Sequence, residues 1–489
     1  MRILLVSHLY PPAHTAGTEV YTAELAGRLL RAGHEPTVFT SEKDIGRKDL
    51  ELTSRVEAGV RVHQLISNMY LDDFEQSWKR PAVDRVFGSL LDELKPDVLH
   101  VHHLMYLSVG MLEEAQRREI AIVYTLHDFW LGCPRFGQLV HADGSLCERV
   151  DPNRCGTCLP SFEWRQSPLK RGMGRAIGGL HSAAGIDLGP MARRVERWLA
   201  GDPAARARRA SPAEFLNEDP QTEEWAKRAL VRGQSLRELV LSCVDHFIAP
   251  SDFLRDWFIE WGIPRDRIVQ LATGVDASAF AAAAEARRPL AETTSEQTGD
   301  ASAAAVSAAQ EPLQIAFLGT LVPVKGAHVL VDAWERLPQE LRAKARLSLH
   351  GPLTHTPGYV EALRSRAVPL GIELAGRVER DDVPGVLART DLLVVPSVWF
   401  ENRPLVVLEA IAARTPLLVS EPGGMSELIE EGVNGWCFPM GDASALAAQL
   451  KRLIEQPSIL SRLYREPIEL PTWEALTEAQ IEIYDRVRK

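Results

Sequence analysis

Apolar runs and polar spacers alternate along most of this chain. RILLVSHLY (2–10) is a strand-like apolar run that ends at Pro11-Pro12. Val20, Leu25, Leu29 and Leu30 then recur at helical spacing up to Gly33, where a helix would stop. PTVFT, KPDVLHVHH and IAIVYTLHD are further short strands, with an apolar helical segment between the last two, and DHFIAPS (245–251) closes the series. RIVQLATGVD leads out of it. A second series follows: LQIAFLGT, a helix through HVLVDAWERL, then RLSLHG, IELAGRV, TDLLVVPS, TPLLVS and NGWCFPM. Buried strands alternating with helices predict βαβ units and parallel sheets. The expected fold class is α/β, with two doubly wound domains and a cleft between them. Ligands of such sheets bind outside the carboxyl ends of the strands.

The expected domains are 1–250 and 251–470. TWEALTEAQIEIYDRVRK is expected to form an amphipathic helix over 471–489 that packs back on the first domain. Two regions break the rhythm. Residues 277–310 are rich in Ala, Ser, Thr and Glu without periodicity and predict a flexible segment. Residues 160–235 predict an irregular insertion. Between Arg165 and Arg209 it holds ten Lys/Arg against three Asp/Glu. One reading is a solvated insertion; the other is a basic flap that meets anionic lipid or an acidic acceptor through Arg193, Arg194 and Arg197.

Composition narrows the function. At 489 residues two domains are expected, and 45% hydrophobic with 25% charged residues is globular. A net charge of −11 argues against a nucleic-acid partner. There is no apolar run of membrane-spanning length. MRILLVSHLYPP lacks a small-residue cleavage site and is read as a first strand. The expectation is a cytoplasmic protein, with any membrane contact peripheral at the inner face.

The densest chemistry lies in PSVWFENRPLVVLEAIAARTPLLVSEPGG (396–424). Pro404 biases Arg403 away from the helical region, so Glu401 and Asn402 belong to a strand-to-helix loop. Pro404 suits the first turn of the next helix. The free N–H groups of about 402–405 favour an anionic or hydroxyl-rich ligand. Glu409 is the polar exception in an apolar helix, and a buried carboxylate needs donors.

This stretch resembles the E-x7-E region of retaining GT-B glycosyltransferases, family 4. SHLYPPAHTAGTEVY is similar to that family's first strand and glycine loop, TLHD to its histidine strand, FLGTLVPVKG to its phosphate-lysine motif, and PGGMSELIEEGVNGWCF to the segment after E-x7-E. The resemblance implies two Rossmann-like domains and a nucleotide-diphosphate sugar donor. It implies that Glu401 contacts the sugar hydroxyls, that Glu409 holds the ribose, and that Lys325 sits on the diphosphate. Asn402, Arg403, Pro404 and Leu405 would line the donor. Gly17 and Thr18 would bring backbone close to phosphate or acceptor, unless Gly17 is a plain turn glycine. His127 would position the sugar and steady transition-state charge; the bland alternative is a structural histidine bonded to Asp128. The resemblance also implies that no cofactor is required for catalysis. The acceptor would be a glycan or a lipid-linked sugar. In two places the chain departs from the family. Thr320 stands where the family has Arg, with Arg403 as a substitute cation, and Thr273 replaces Asn.

Of six cysteines, Cys243 and Cys437 are expected to be small buried hydrophobes. Cys133, Cys147, Cys155 and Cys158 crowd into a loop, 133–158, and their C-x2-C pair makes them a candidate structural zinc site, with reduced thiols or disulfides as alternatives. A similar Cys-Pro-Arg loop after TLHD occurs in glycosyltransferases resembling those of bacterial exopolysaccharide synthesis. The leading expectation is therefore a glycosyltransferase of polysaccharide or envelope glycan synthesis. The alternatives are a non-catalytic GT-B-shaped binding protein and another GT-B sugar-phosphate enzyme.

Overall fold

The computed structural model of the chain describes residues 1–162, 164–184, 188–191, 194, 221–285, 311–354, 356–464 and 468–488. The chain divides into an N-terminal unit that runs to Thr273 and takes back Trp473 onward, and a C-terminal unit, Gly274–Thr472.

The N-terminal unit is built on an eight-stranded sheet. Its strands are β1 (Arg2–Val6), β2 (Glu35–Glu42), β3 (Leu52–Glu57), β4 (Val60–Ile66), β5 (Val98–Val101), β6 (Ala121–Thr125), β7 (His246–Ala249) and β8 (Ile268–Gln270), in the order β3-β4-β2-β1-β5-β6-β7-β8. Only the β3–β4 hairpin is antiparallel. β5 and β6 are buried at every residue, as continuous apolar runs between two helix layers should be. β3, at the edge, alternates exposed with half-buried residues. β1 lies between β2 and β5, so the winding of the sheet reverses there.

The C-terminal unit carries a six-stranded parallel sheet. Its strands are β9 (Leu313–Leu318), β10 (Ala345–His350), β11 (Glu373–Gly376), β12 (Leu392–Val395), β13 (Leu417–Glu421) and β14 (Gly435–Pro439), in the order β11-β10-β9-β12-β13-β14. Here the winding reverses between β9 and β12.

Several expectations change. The N-terminal unit reaches Thr273 instead of 250, because RIVQ pairs in parallel with β7 as the last strand of the first sheet. The insertion expected to be irregular contains two long helices, Pro168–Ala184 and Gln221–Cys243. The first helix can dock closely because it presents glycine to its neighbours. A Cβ at Gly174 would lie 2.0 Å from the Tyr70 hydroxyl, and one at Gly178 would lie 2.6 Å from the Arg47 carbonyl. Its cations are engaged with the protein. Arg171 and Arg175 pair with Asp72 at 2.7 and 3.3 Å, and Arg165 donates to the Asp72 carbonyl at 2.8 Å. Arg193 and Arg197 lie outside the described residues, as do 286–310. Within the segment expected to be flexible, Ser278–Glu285 is a helix that buries Phe280 and Ala283.

The last helix, Trp473–Val487, buries Trp473, Leu476, Ile483 and Tyr484 in one core with Ile3, Leu5 and Val98. Side chains of this size stabilise by about 1.5–3 kcal/mol each when fully buried. The Tyr484 hydroxyl lies 2.6 Å from His100 Nδ1, and Gln480 Nε2 donates to the Tyr21 hydroxyl.

Candidate active site

In the C-terminal unit, the chemistry collects where the winding reverses. The loop after β9 ends in a short turn, Pro323–Lys325, and the loop after β12 carries Ser397, Trp399 and Glu401. Backbone contact locks the two loops together: Val398 N–H donates to the Val324 carbonyl at 2.9 Å. Gly326 makes this possible. Its φ is +70°, and a Cβ there would lie 1.8 Å from the Pro396 carbonyl oxygen.

The result is an ion pair with its carboxylate buried and its lysine partly exposed. Lys325 Nζ donates to Glu401 Oε1 at 2.6 Å, and Ser397 Oγ donates to the same oxygen at 2.7 Å. Lys325 Nζ also lies 4.9 Å from the centre of the Trp399 ring. Burial alone would raise the Glu401 carboxyl. The charge and hydrogen bond of Lys325, with Ser397, outweigh it and hold the group below its usual range. Glu401 is therefore anionic at neutral pH.

Glu409 sits on the next helix, Leu405–Ala412, and is 4% exposed. Arg380 Nη1 donates to its Oε1. Burial nevertheless wins, and the Glu409 carboxyl is raised. Pro404 occupies the cap position just before that helix and not its first turn. Asn402, Arg403, Pro404 and Leu405 are half-buried beside Glu401. Gly423 follows β13, with φ +154° and its would-be Cβ 3.0 Å from the Glu401 carbonyl oxygen.

In the N-terminal unit, the loops after β1, β5 and β6 bring histidines together at the equivalent place. His127 Nε2 lies 3.2 Å from His102 Nδ1, and the edge of Tyr21 packs against the His127 ring at 4.9 Å. Asp128 lies near enough to His127 for the two to interact electrostatically, and it is also bonded elsewhere. Asp128 Oδ2 lies 3.0 Å from His103 Nε2, and Asp128 Oδ1 accepts from Trp130 N–H at 2.8 Å. His8 Nε2 lies 3.3 Å from Glu19 Oε1, and its ring lies 4.5 Å from that of His103. Burial pushes His127 down to about 3, with the charge of His103 acting in the same direction and Asp128 opposing. Burial likewise holds His8 and His102 well below their ordinary value and raises Glu19. His8 Nδ1, His102 Nε2 and Glu19 Oε2 are buried without a hydrogen-bond partner among the described residues.

Gly17 is the first residue of the helix Gly17–Arg31, with Thr18 behind it. A Cβ at Gly17 would meet no protein atom within 4 Å. Neither strain nor a protein neighbour requires glycine there, so the close-approach argument for Gly17 rests on the ligand alone.

Cys133, Cys147, Cys155 and Cys158 line one cavity of about 20 Å³. None is in a disulfide, and Cys437 is half-buried, not fully buried as expected. As they stand, no three His, Cys, Asp or Glu side chains among the described residues are arranged to hold a metal ion.

Residues 300–468 match the family model "Glycosyl transferases group 1", and residues 15–154 match "Glycosyltransferase Family 4". The chain belongs to the family 4 glycosyltransferases. Glycogen synthase of Mycobacterium tuberculosis is 26% identical over 298 residues, covering 59% of this chain and 66% of that one. The amylovoran biosynthesis glycosyltransferase of Erwinia amylovora is 32% identical over 159 residues, covering 30% of this chain and 37% of its own. The chain thus spans less than two thirds of the length of these curated relatives. The solved structure of Anabaena HepE in complex with UDP and glucose superposes with a TM-score of 0.55 at 15% identity, covering 99% of this chain and 95% of that one. That likeness concerns the fold, which is GT-B with two Rossmann-like units.

The sequence motifs missed Arg380, His8, Glu19, His102 and His103. The letters HVHH at the end of β5 were a visible signal for two of them, since a strand that ends in imidazoles is unusual beside its apolar neighbours. Arg380 gave none.

Proposed function

We propose that this family 4 glycosyltransferase moves a sugar from a nucleoside-diphosphate sugar to a glycan or lipid-linked acceptor, with retention of anomeric configuration. The setting proposed is bacterial polysaccharide or envelope glycan synthesis, at the cytoplasmic face of the membrane. The observation that carries this reading is the Lys325–Glu401 pair at the ends of β9 and β12. It places a cation and an anionic acceptor of hydroxyl protons side by side at a topological switch point.

In the reaction, the bond between the anomeric carbon and the β-phosphate oxygen breaks, and a bond to the acceptor oxygen forms. The acceptor proton passes to the departing diphosphate. Lys325 offsets the charge that grows on that leaving group, which is the role a divalent metal would otherwise fill. Glu401 accepts from vicinal sugar hydroxyls and Glu409 from the ribose, two geometries that a carboxylate suits. The backbone of Asn402 to Leu405, with Arg403, attends the donor. Gly17 and Thr18 approach phosphate or acceptor. His127, neutral across the physiological range, serves as a positioning group and dipole instead of a base. No described helix is long and apolar enough to cross a membrane, so a peripheral contact is the form of membrane association proposed.

The test is a thermal-shift panel of UDP-, GDP- and ADP-sugars on the wild type and on Glu409→Ala. The complex of the Anabaena neighbour makes UDP-glucose the first donor to try. A shift with one nucleotide series, lost in the variant, is the expected result. No nucleotide-dependent shift in the wild type would sink the reading.

A further inference from the structure

The last helix, Trp473–Val487, turns one face inward, and Trp473, Thr477, Gln480 and Tyr484 recur along it at spacings of three and four residues. Two of these are polar in a different sense. Thr477 satisfies its hydroxyl within the helix, on the Trp473 carbonyl at 2.7 Å. Gln480, with no exposure at all, reaches out of the helix instead.

Its amide has two partners. Nε2 donates to the Tyr21 hydroxyl, on the helix Gly17–Arg31, and Oε1 accepts from the Tyr484 hydroxyl at 3.3 Å. The Tyr484 oxygen lies 2.6 Å from His100 Nδ1, and His100 Nε2 lies 2.8 Å from Thr125 Oγ1. Thr125 ends β6, two residues before His127. The five side chains form one continuous string of hydrogen bonds, with no member more than 2% exposed.

Both ends of the string close on His127. At one end, the Tyr21 ring meets the His127 ring edge-on, with centroids 4.9 Å apart and planes at 74°, and lies 5.5 Å from the ring of His102. At the other end, the His100 ring lies 4.2 Å from that of His102, whose Nδ1 is 3.2 Å from His127 Nε2. Stability alone does not call for such a string. Replacing all partners of a buried hydrogen bond by apolar groups of the same shape can be nearly neutral or stabilising. What a satisfied network adds to packing is direction, because it fixes ring planes that apolar contact leaves free to turn. The planes fixed here are those that border His127.

We propose that Gln480 and Tyr484 are positioning residues for glycosyl transfer, holding the His127 imidazole in register through Tyr21 and His100. The proposal rests on the reading of His127 as the group that places the donor sugar. Misplacement by 1 Å can cost about 10²-fold in rate, and losing one arm of this support should cost about tenfold.

The experiment is a double-mutant cycle on the full chain between Gln480→Met, which keeps the volume and removes both hydrogen bonds, and His127→Asn. Gln480→Met should lower kcat by about tenfold in wild type and by less than about twofold in the His127→Asn background, with the donor KM unchanged. Equal losses in both backgrounds, or no loss in wild type, would overturn the proposal. Leu476→Val, on the same helix face but outside the string, should lower the melting temperature and leave kcat as it is; a loss of kcat matching that of Gln480→Met would also overturn it. Tyr484→Phe carries the same cycle if Gln480→Met does not fold. A second readout needs no sugar. The His127 ring resonances, assigned by their loss in His127→Asn, should move in Gln480→Met and Tyr484→Phe and stay in place in Leu476→Val. Unmoved resonances in the first two variants would overturn the proposal whether or not any nucleotide sugar binds, which separates its failure from that of the proposed function.

Discussion

The loops at the carboxyl ends of the two sheets solve the same problem in opposite ways. In the C-terminal unit, buried carboxylates meet cations that reach solvent: Glu401 against Lys325, and Glu409 against Arg380. In the N-terminal unit, burial leaves imidazoles neutral, with His8, His102 and His127 all pushed down. A site of fixed charge suits a ligand that is itself a strong anion. A site of neutral dipoles suits orientation and proton-poor contacts near a reacting carbon. On the proposed function, the difference means that each unit has its own task, one holding charge and the other placing atoms.

The comparison can be broken at its strongest point first. Lys325→Ala removes the cation and strands a buried carboxylate. Turnover should fall by about 10³-fold, as when one transition-state charge stabiliser is lost. A loss below about tenfold in steady-state kinetics would show that the charge site is not where the account puts it. Gly326→Ala comes next. It drives a Cβ into the Pro396 carbonyl at a positive φ, so chemical denaturation should show a loss of about 3 kcal/mol, and donor-induced stabilisation should vanish with it. An unperturbed variant would mean that the two loops are not locked.

His127→Asn should lower kcat by about 10²-fold or less while leaving its pH profile between 5.5 and 8 unchanged, because a neutral positioning group has no ionisation there to lose. The loss of a profile limb near pH 6.5 would restore a base role.

Acid stability separates the two units more gently. A histidine whose folded value is depressed contributes stability that is fully present above its unfolded value of about 6.5 and is lost as pH falls below it. Each of the buried His8, His100 and His102 then costs up to about 1.4 kcal/mol per pH unit. The lowered Glu401 carboxyl loses nothing until the pH falls below about 4.5, its ordinary range. Glu409, being raised, changes in the opposite sense, gaining native-state protons as pH falls. Melting followed from pH 7.5 to 5.5 should therefore drop more steeply in the N-terminal unit than in the C-terminal unit, where burial also lowers His328 and His350. Equal loss in both would blur the contrast.

Much of this was legible in the letters. Strands such as TDLLVVPS are continuous apolar runs and announce buried parallel sheet. Glu401, Glu409 and Lys325 carry a recognisable motif, and the structure sets them at the switch of the second sheet. Arg380 was not legible, because it sits among Arg377, Glu379 and Asp381 in a polar turn, and its partner is 29 residues away. The histidine cluster needed the order β1-β5-β6 before His8, His102, His103 and His127 could be seen as neighbours. The helix Pro168–Ala184 was hidden by Gly172, Gly174, Gly178 and Gly179, each of which weakens a free helix by about 1 kcal/mol. Docking on Tyr70 and Arg47 offsets that, and tertiary fit of this kind is invisible to local propensity.

The division of labour is tested most directly by calorimetric binding of the nucleoside diphosphate that gives the largest thermal shift, on wild type, Lys325→Ala and His127→Asn. The account predicts that affinity falls by about 30-fold in Lys325→Ala, about 2 kcal/mol for a lost charge-assisted contact, and stays within about twofold in His127→Asn. Retained binding in Lys325→Ala with lost binding in His127→Asn would contradict it.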